Sequence, residues 1–229
     1  MNRQPISKQV LRSDGKLLLH HVFATIQGEG PYAGVPAVFV RLSGCNLQCP
    51  GCDTDYSSRG DLVTPAELVD LIERERTGVS NLVVITGGEP FRQNLVPFVE
   101  LLLDLGYEVQ IETNGTLFVP GLRYNEITIV CSPKTGRLNQ ELLPHIDAFK
   151  YVVSADSIGE DGLPVRSLGQ PASPAVARPP ADFQGKIYVQ PMDAQDAAEN
   201  RRNLDAAIRS CLRFGYTLSL QIHKIIGME

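Results

Sequence analysis

Short β-branched runs alternate with helical patterns along most of this chain, and that alternation restricts the fold more than any other feature. Strands are predicted at 17–24, 37–42, 82–86, 107–113, 127–131, 149–154, 186–190 and 217–223. Three helices are well signalled. The first, in TPAELVDLIERER, has Thr64 as N-cap, Pro65 at the first helical position and Glu67 completing a capping box. The second, in RQNLVPFVELLLDLG, carries Leu95, Phe98, Val99 and Leu102 on one face, takes Pro97 in its first turn and stops at Gly106. The third starts after Asp193 and runs through LDAAIRSCLRF to Gly215, with Leu204, Ala207, Ile208, Cys211 and Leu212 expected on a buried stripe.

Strand–helix–strand alternation implies a mostly parallel sheet with helices outside. Seven or eight strands with three long helices leave too few helices for an ideal eightfold barrel. The expected fold class is therefore α/β, an incomplete, open TIM-like barrel. In such folds the chemistry gathers at the C-terminal ends of the strands, and the polar residues follow suit. TGGEP follows LVVI, ETNG follows EVQI, SPK follows ITIVC and QPMD follows KIYV. A single domain spanning 1–229 is expected. Within it, 155–182 holds Pro164, Pro171, Pro174, Pro179 and Pro180 with little apolar periodicity, which reads as a long surface loop or lid.

Hydrophobic residues at 43% and charged residues at 21% describe a globular chain rather than a disordered one. The formal charge of −5 and the lack of a Lys/Arg cluster argue against nucleic-acid binding, which depends on neutralising phosphates. No apolar run approaches the ~18 residues of a membrane span, and MNRQPISKQVLRSDG lacks a signal-peptide core. A soluble cytoplasmic protein with no membrane partner is the expectation.

Of five cysteines, Cys45, Cys49 and Cys52 fall within eight residues in LSGCNLQCPGCDT. Cys131 and Cys211 read as core residues. A structural zinc site wants four ligands, usually as two separated pairs, whereas three thiols can hold an iron–sulfur cluster and leave one iron open to a small molecule. Zinc stays open as an alternative, with Asp53 or a distant histidine as fourth ligand.

The C-x3-C-x2-C spacing followed by Asp and Thr resembles the cluster loop of the radical S-adenosylmethionine (SAM) enzymes, and TGGEP resembles their glycine-rich segment. That likeness implies a radical SAM barrel with few helices, a 4Fe–4S cluster on the three cysteines, and SAM on the open iron. Further segments narrow the resemblance: VFATIQGEGPYAGVPAVFVRLSGCNLQC, CDT, ETNGT, CSPK, FKYVVS, YVQPMD and LQIHK. Nearly the whole chain is similar, in the same order, to the 7-carboxy-7-deazaguanine synthase family of 7-deazapurine (queuosine) biosynthesis. Members are lyases that convert 6-carboxy-5,6,7,8-tetrahydropterin to 7-carboxy-7-deazaguanine with loss of ammonia. They use magnesium and are commonly homodimers, and they take electrons from a donor such as flavodoxin.

By position, the resemblance implies that Ile26, Gln27, Gly28, Arg41 and Thr86 meet the pterin, with Arg41 pairing its carboxylate. It implies Thr54 as magnesium ligand, and Gly88, Ser132, Pro133, Lys134, Gln190, Pro191, Met192 and Asp193 as SAM contacts. Strand periodicity adds an independent check. Glu108, Gln110, Glu112 and Asn114 share a face opposite Tyr107, Val109 and Ile111, while Ser219, Gln221 and His223 oppose Leu218, Leu220 and Ile222. His20, His21 and His145 belong to no constellation. Two other readings stand beside the leading one: a radical SAM activase of a partner protein, and a zinc-stabilised binding module.

Overall fold

The computed structural model describes residues 2–57, 60–171 and 175–229. Nine strands form one sheet: β1 (Leu17–Ile26), β2 (Pro36–Leu42), β3 (Asp61–Val63), β4 (Leu82–Gly87), β5 (Glu108–Thr113), β6 (Thr128–Cys131), β7 (Ala148–Val153), β8 (Lys186–Pro191) and β9 (Thr217–Leu218). Their order is β3-β1-β2-β4-β5-β6-β7-β8-β9. The run from β2 to β9 is parallel, whereas β1 and β3 add an antiparallel margin. The sheet does not close, so the open-barrel expectation holds.

The helices are α1 (Pro65–Glu75), α2 (Val96–Asp104), α3 (Ala197–Phe214) and the single-turn α4 (Ile222–Ile225). At the start of α1 the capping box forms as expected: the Thr64 side chain accepts from Glu67 N–H, and the Glu67 carboxylate accepts from Thr64 N–H. Pro97 sits in the first turn of α2, where its missing N–H costs no helix bond. No helix follows β5 or β6. Those connections are irregular, and Val119, Leu122, Tyr124, Leu142 and Ile146 from them cover the outer face that helices would cover elsewhere. Residues 154–185, linking β7 to β8, likewise supply Leu163 and Val176 to the core. There Arg178 pins the chain by pairing with Asp161 at 2.6 Å and donating to Val176 O and Pro164 O. Of the proline-rich segment, 172–174, including Pro174, lies outside the described residues.

Three sequence expectations need correction. The buried face of α3 consists of Asn203, Ala206, Ala207 and Ser210, with Cys211 at its margin, and Leu212 is 83% exposed. The helix also begins at Ala197, capped by Asp196, whose side chain accepts from Glu199 N–H. Buried polar partners shift the stripe: Asn203 donates to Met192 O at 2.9 Å and Ser210 to Gly162 O at 2.5 Å. Finally, β9 stops at Leu218, so His223 lies on α4 rather than on a strand.

Side-chain alternation gives the sheet two faces. Val38, Val40, Val83, Ile85, Val109, Ile111, Ile129, Phe149, Tyr151 and Val189 join the outer core with α1 and α2. The inner face is apolar at the start of the strands, where Ala37, Leu82 and Val84 pack in one cluster and Val130, Ala148 and Tyr188 in another. Further along, the inner positions become Arg41, Thr86, Glu112 and Gln190, as the polar strand ends foretold. Residues 27–30 bring the end of β1 against the segment after β9, with Ile222 N–H donating to Gly28 O at 3.2 Å and Gly30 N–H to Ser219 Oγ at 3.1 Å.

Candidate active site

A cavity of about 440 Å³ opens over the C-terminal ends of the parallel strands. All four polar strand ends reach it, through Gly87 and Gly88, Glu112 to Asn114, Ser132 and Lys134, and Gln190, Met192 and Asp193. Gln27, Arg41, Cys45, Cys49, Cys52, Thr54 and Thr86 also line it. Ile26, Gly28, Pro133 and Pro191 do not. Ile26 pairs with Pro36 in the sheet, and the two prolines contribute backbone between lining neighbours. Gly28 is closely packed, because a Cβ there would meet His223 Nδ1 at 2.0 Å.

The cysteine loop is supported from three sides. From the N-terminal segment, Ser7 N–H donates to Cys45 O at 2.7 Å, Asn2 Nδ2 to Cys49 O at 3.1 Å, and Gln4 Nε2 to Thr54 O at 2.9 Å. From the proline-rich segment, Leu168 accepts at its carbonyl from Gly51 N–H at 2.8 Å and lines the cavity. From the TGGEP turn, Glu89 N–H donates to Gly44 O at 3.0 Å. Gly88 is forced to be small here: a Cβ would lie 2.2 Å from Gly44 O and 2.9 Å from Cys45 Cβ. Gly87, at φ +135°, faces Leu42 O at 2.1 Å from a virtual Cβ, so this turn needs both glycines.

All three thiols are free, and none forms a disulfide. Burial pushes Cys45 up to about 12 and raises Cys49 and Cys52 as well. Buried thiols of this kind ionise only against a strong electrophile, such as an iron centre. Among the described residues no three His, Cys, Asp or Glu side chains converge on one point as a single zinc ion would require. Three free thiols from one loop line the cavity, a donor set that fits a 4Fe–4S group with one face toward the interior. Lys134 donates to Ser132 O at 2.8 Å on the same wall, and burial lowers its ammonium.

Beneath the cysteines, Glu89 is wholly buried. It accepts from Phe91 N–H at 3.0 Å, Thr113 Oγ1 at 2.7 Å and Asn114 N–H at 2.7 Å. Burial outweighs these donors and pushes its carboxyl up to about 7. Thr54 Oγ1 stands 3.4 Å from Asp53 Oδ1, giving hard oxygen donors on the cavity wall. Lys224 of α4 bridges Asp53 and Asp193 at 3.1 Å each, tying the cysteine loop to the end of β8. Three donors, Gln195 N–H, Asn200 and Lys224, hold Asp193 down at about 2.

Arg41 reaches the cavity from β2. Its Nη1 donates to Glu229 Oε1 at 2.9 Å, its guanidinium lies 4.9 Å over the Phe23 ring, and its Nε is buried without a partner. Met228 and Glu229 thus line the same space as the cysteines. Glu29 and Lys150, which pair at the floor of the cavity, are not among the residues that sequence motifs single out. GEG marks the first only as part of a turn, and Lys150 lies hidden in the run FKYVVS.

The Radical SAM superfamily signature matches residues 39–129. The 7-carboxy-7-deazaguanine synthase of Rhodospirillum rubrum is 46% identical over 226 residues, covering 93% of both chains. That of Rickettsia prowazekii is 37% identical over 235 residues, covering 97% of this chain and 93% of its own. The crystal structure of QueE from Escherichia coli matches with a TM-score of 0.68 at 24% identity, over 90% of this chain and 94% of that one, a likeness of fold. The cysteine spacing, the open barrel and full-length similarity agree, and the chain belongs to the 7-carboxy-7-deazaguanine synthase family of the radical SAM superfamily.

Proposed function

We propose that this enzyme converts 6-carboxy-5,6,7,8-tetrahydropterin to 7-carboxy-7-deazaguanine and ammonia. Loss of ammonia balances the conversion without an external oxidant. The observation that carries the reading is that a single cavity contains both the three thiols and Arg41, a cation suited to a carboxylated ligand. Cys45, Cys49 and Cys52 would hold the 4Fe–4S cluster. Gly88, Ser132, Lys134, Gln190, Met192 and Asp193 would hold SAM, with Pro133 and Pro191 shaping that wall. When bound, the pair supplies one-electron cleavage of a C–S bond.

The protein's own residues orient the substrate. Gln27, Thr86 and Arg41 would meet the pterin, with Ile26 and Gly28 setting the path of the Gln27 loop. Arg41 has to exchange the Glu229 carboxylate for that of the substrate, a like-for-like replacement of one charge-assisted contact by another. Thr54 would bind Mg²⁺ together with the substrate carboxylate, since a neutral hydroxyl needs an anionic co-ligand. A flavodoxin-like electron donor, a homodimer, a single-domain organisation and a cytoplasmic location complete the reading. Among the described residues no helix is long and apolar enough to cross a membrane. No feature of the cavity favours the activase or the zinc-module alternative.

The test is anaerobic incubation with SAM, a reductant and the carboxypterin, followed by mass spectrometry. A product lighter than the substrate by one ammonia supports the reading, whereas SAM cleavage with unchanged pterin overturns the substrate. Repeating the assay after exhaustive removal of divalent ions checks Thr54. Unchanged turnover there would remove the metal from the scheme.

A further inference from the structure

The floor of the cavity carries a charge cluster that is separate from the cysteine loop and meets the SAM wall only through Gln190. Lys150, on β7, has a side chain only 7% exposed. Its ammonium donates to Glu29 Oε2 and lies 3.5 Å from Glu112 Oε2. Glutamine amides fill the other oxygen of each carboxylate. Glu29 Oε1 accepts from Gln190 Nε2 at 3.2 Å and Gln221 Nε2 at 2.9 Å. Glu112 Oε1 accepts from Gln27 Nε2 and Gln110 Nε2, both at 3.2 Å. Burial works against ionisation of Glu29, but the charge and hydrogen bond of Lys150, with Gln221, override it and hold the carboxyl below its ordinary range.

Two carboxylates share a single ammonium, which leaves this floor anionic, with acceptor capacity remaining at Glu29 Oε2 and at Glu112 Oε2. Such a surface selects a ligand edge that carries adjacent N–H donors. The aminopyrimidinone edge of a pterin, with its ring N–H beside an amino group, is of that kind. We propose that Lys150 is a positioning residue that fixes Glu29 and Glu112 as a preset pair of hydrogen-bond acceptors for the N–H donor edge of the pterin. This rests on the pterin reading given above. Without the ammonium, two like charges would face each other in a buried site, and one carboxylate would take a proton. A protonated carboxyl offers a donor where the ligand also offers donors, so the match is lost.

The test is a double-mutant cycle on cluster-loaded enzyme with SAM present, titrated with 6-carboxypterin, an oxidised and unreactive analogue. Lys150→Met should raise the dissociation constant of the analogue by about 30-fold or more, the scale for stripping one partner from a buried ion pair. SAM affinity and iron content should stay within about twofold of wild type, since neither ligand wall includes Lys150. In a Glu112→Gln background the same Lys150→Met change should add clearly less than it costs alone, because part of its effect runs through that carboxylate and the rest through Glu29. Should Lys150→Met fail to load its cluster, Lys150→Gln takes its place in the cycle. Wild-type affinity in the single variant, or full additivity in the double, overturns the proposal. A wild-type enzyme that binds SAM but not the analogue would instead overturn the substrate reading.

Discussion

Glu89 is the residue whose removal the structure makes most quantitative. In Glu89→Gln the amide carbonyl can still accept from Phe91 N–H and Thr113 Oγ1, which converge on one oxygen of the native carboxylate. The NH₂ then points at Asn114 N–H, a donor facing a donor, at a cost of about 1–3 kcal/mol. A second effect has the opposite sign. The folded carboxyl titrates at about 7 against an ordinary 4.5, because burial outweighs its three donors. Between those values the folded state binds more protons than the unfolded one, so native stability falls as pH rises. From pH 5.5 to 8 the loss amounts to about 2 kcal/mol, since each tenfold difference in proton affinity between the two states is worth about 1.4 kcal/mol. Glutamine does not titrate, so the deficit of the variant should shrink by that amount over the same interval, closing or reversing near pH 8. Anaerobic thermal scans at one fixed rate should show the gap in Tm narrowing by about 4–8 °C. A gap that is constant with pH would mean that Glu89 is ionised throughout, and the reasoning from burial would fail.

Cys45→Ala, Cys49→Ala and Cys52→Ala should each abolish cluster assembly, measured as iron and sulfide content, while Cys131→Ala and Cys211→Ala retain it. Gly88→Ala should sharply reduce iron loading without unfolding the chain by circular dichroism, because its Cβ would press on Gly44 O at 2.2 Å and displace the cysteine loop. Normal loading in that variant would show that the loop yields easily. Arg41→Ala should lose deazapurine formation by the equivalent of about 2–5 kcal/mol while still cleaving SAM slowly, read from 5′-deoxyadenosine and product in one assay. Equal loss of both products with an intact cluster would move Arg41 to the cofactor side.

Local pattern made much of this legible. Period-2 alternation at Val109, Ile111 and their polar neighbours put Glu112 on the inner face, and the Thr64–Glu67 box placed the start of α1 to the residue. The cysteine loop was readable because its ligands are close in sequence. What escaped detection was set by distant partners. Lys150 reads as one residue of an apolar strand until Glu29, 121 positions away, arrives beside it. On α3 the hydrophobic stripe suggested Leu212, yet buried hydrogen bonds to Asn203 and Ser210 rotated the helix toward a polar seam. The strand expected to reach His223 ends early because the chain turns into α4, where Ile222 N–H bonds the distant Gly28 O.

The support of the cysteine loop by residues from both ends of the chain has a consequence for biosynthesis. Cys45, Cys49 and Cys52 leave the ribosome early, but Leu168, Asp193 and Lys224, which brace the loop or its surroundings, are made last. At about 5–20 residues per second, about 10–30 s of translation separate the last of these thiols from Lys224. During that interval the nascent loop lacks its finished cavity. The fully braced loop is accordingly available to a cluster only after Lys224 has been made.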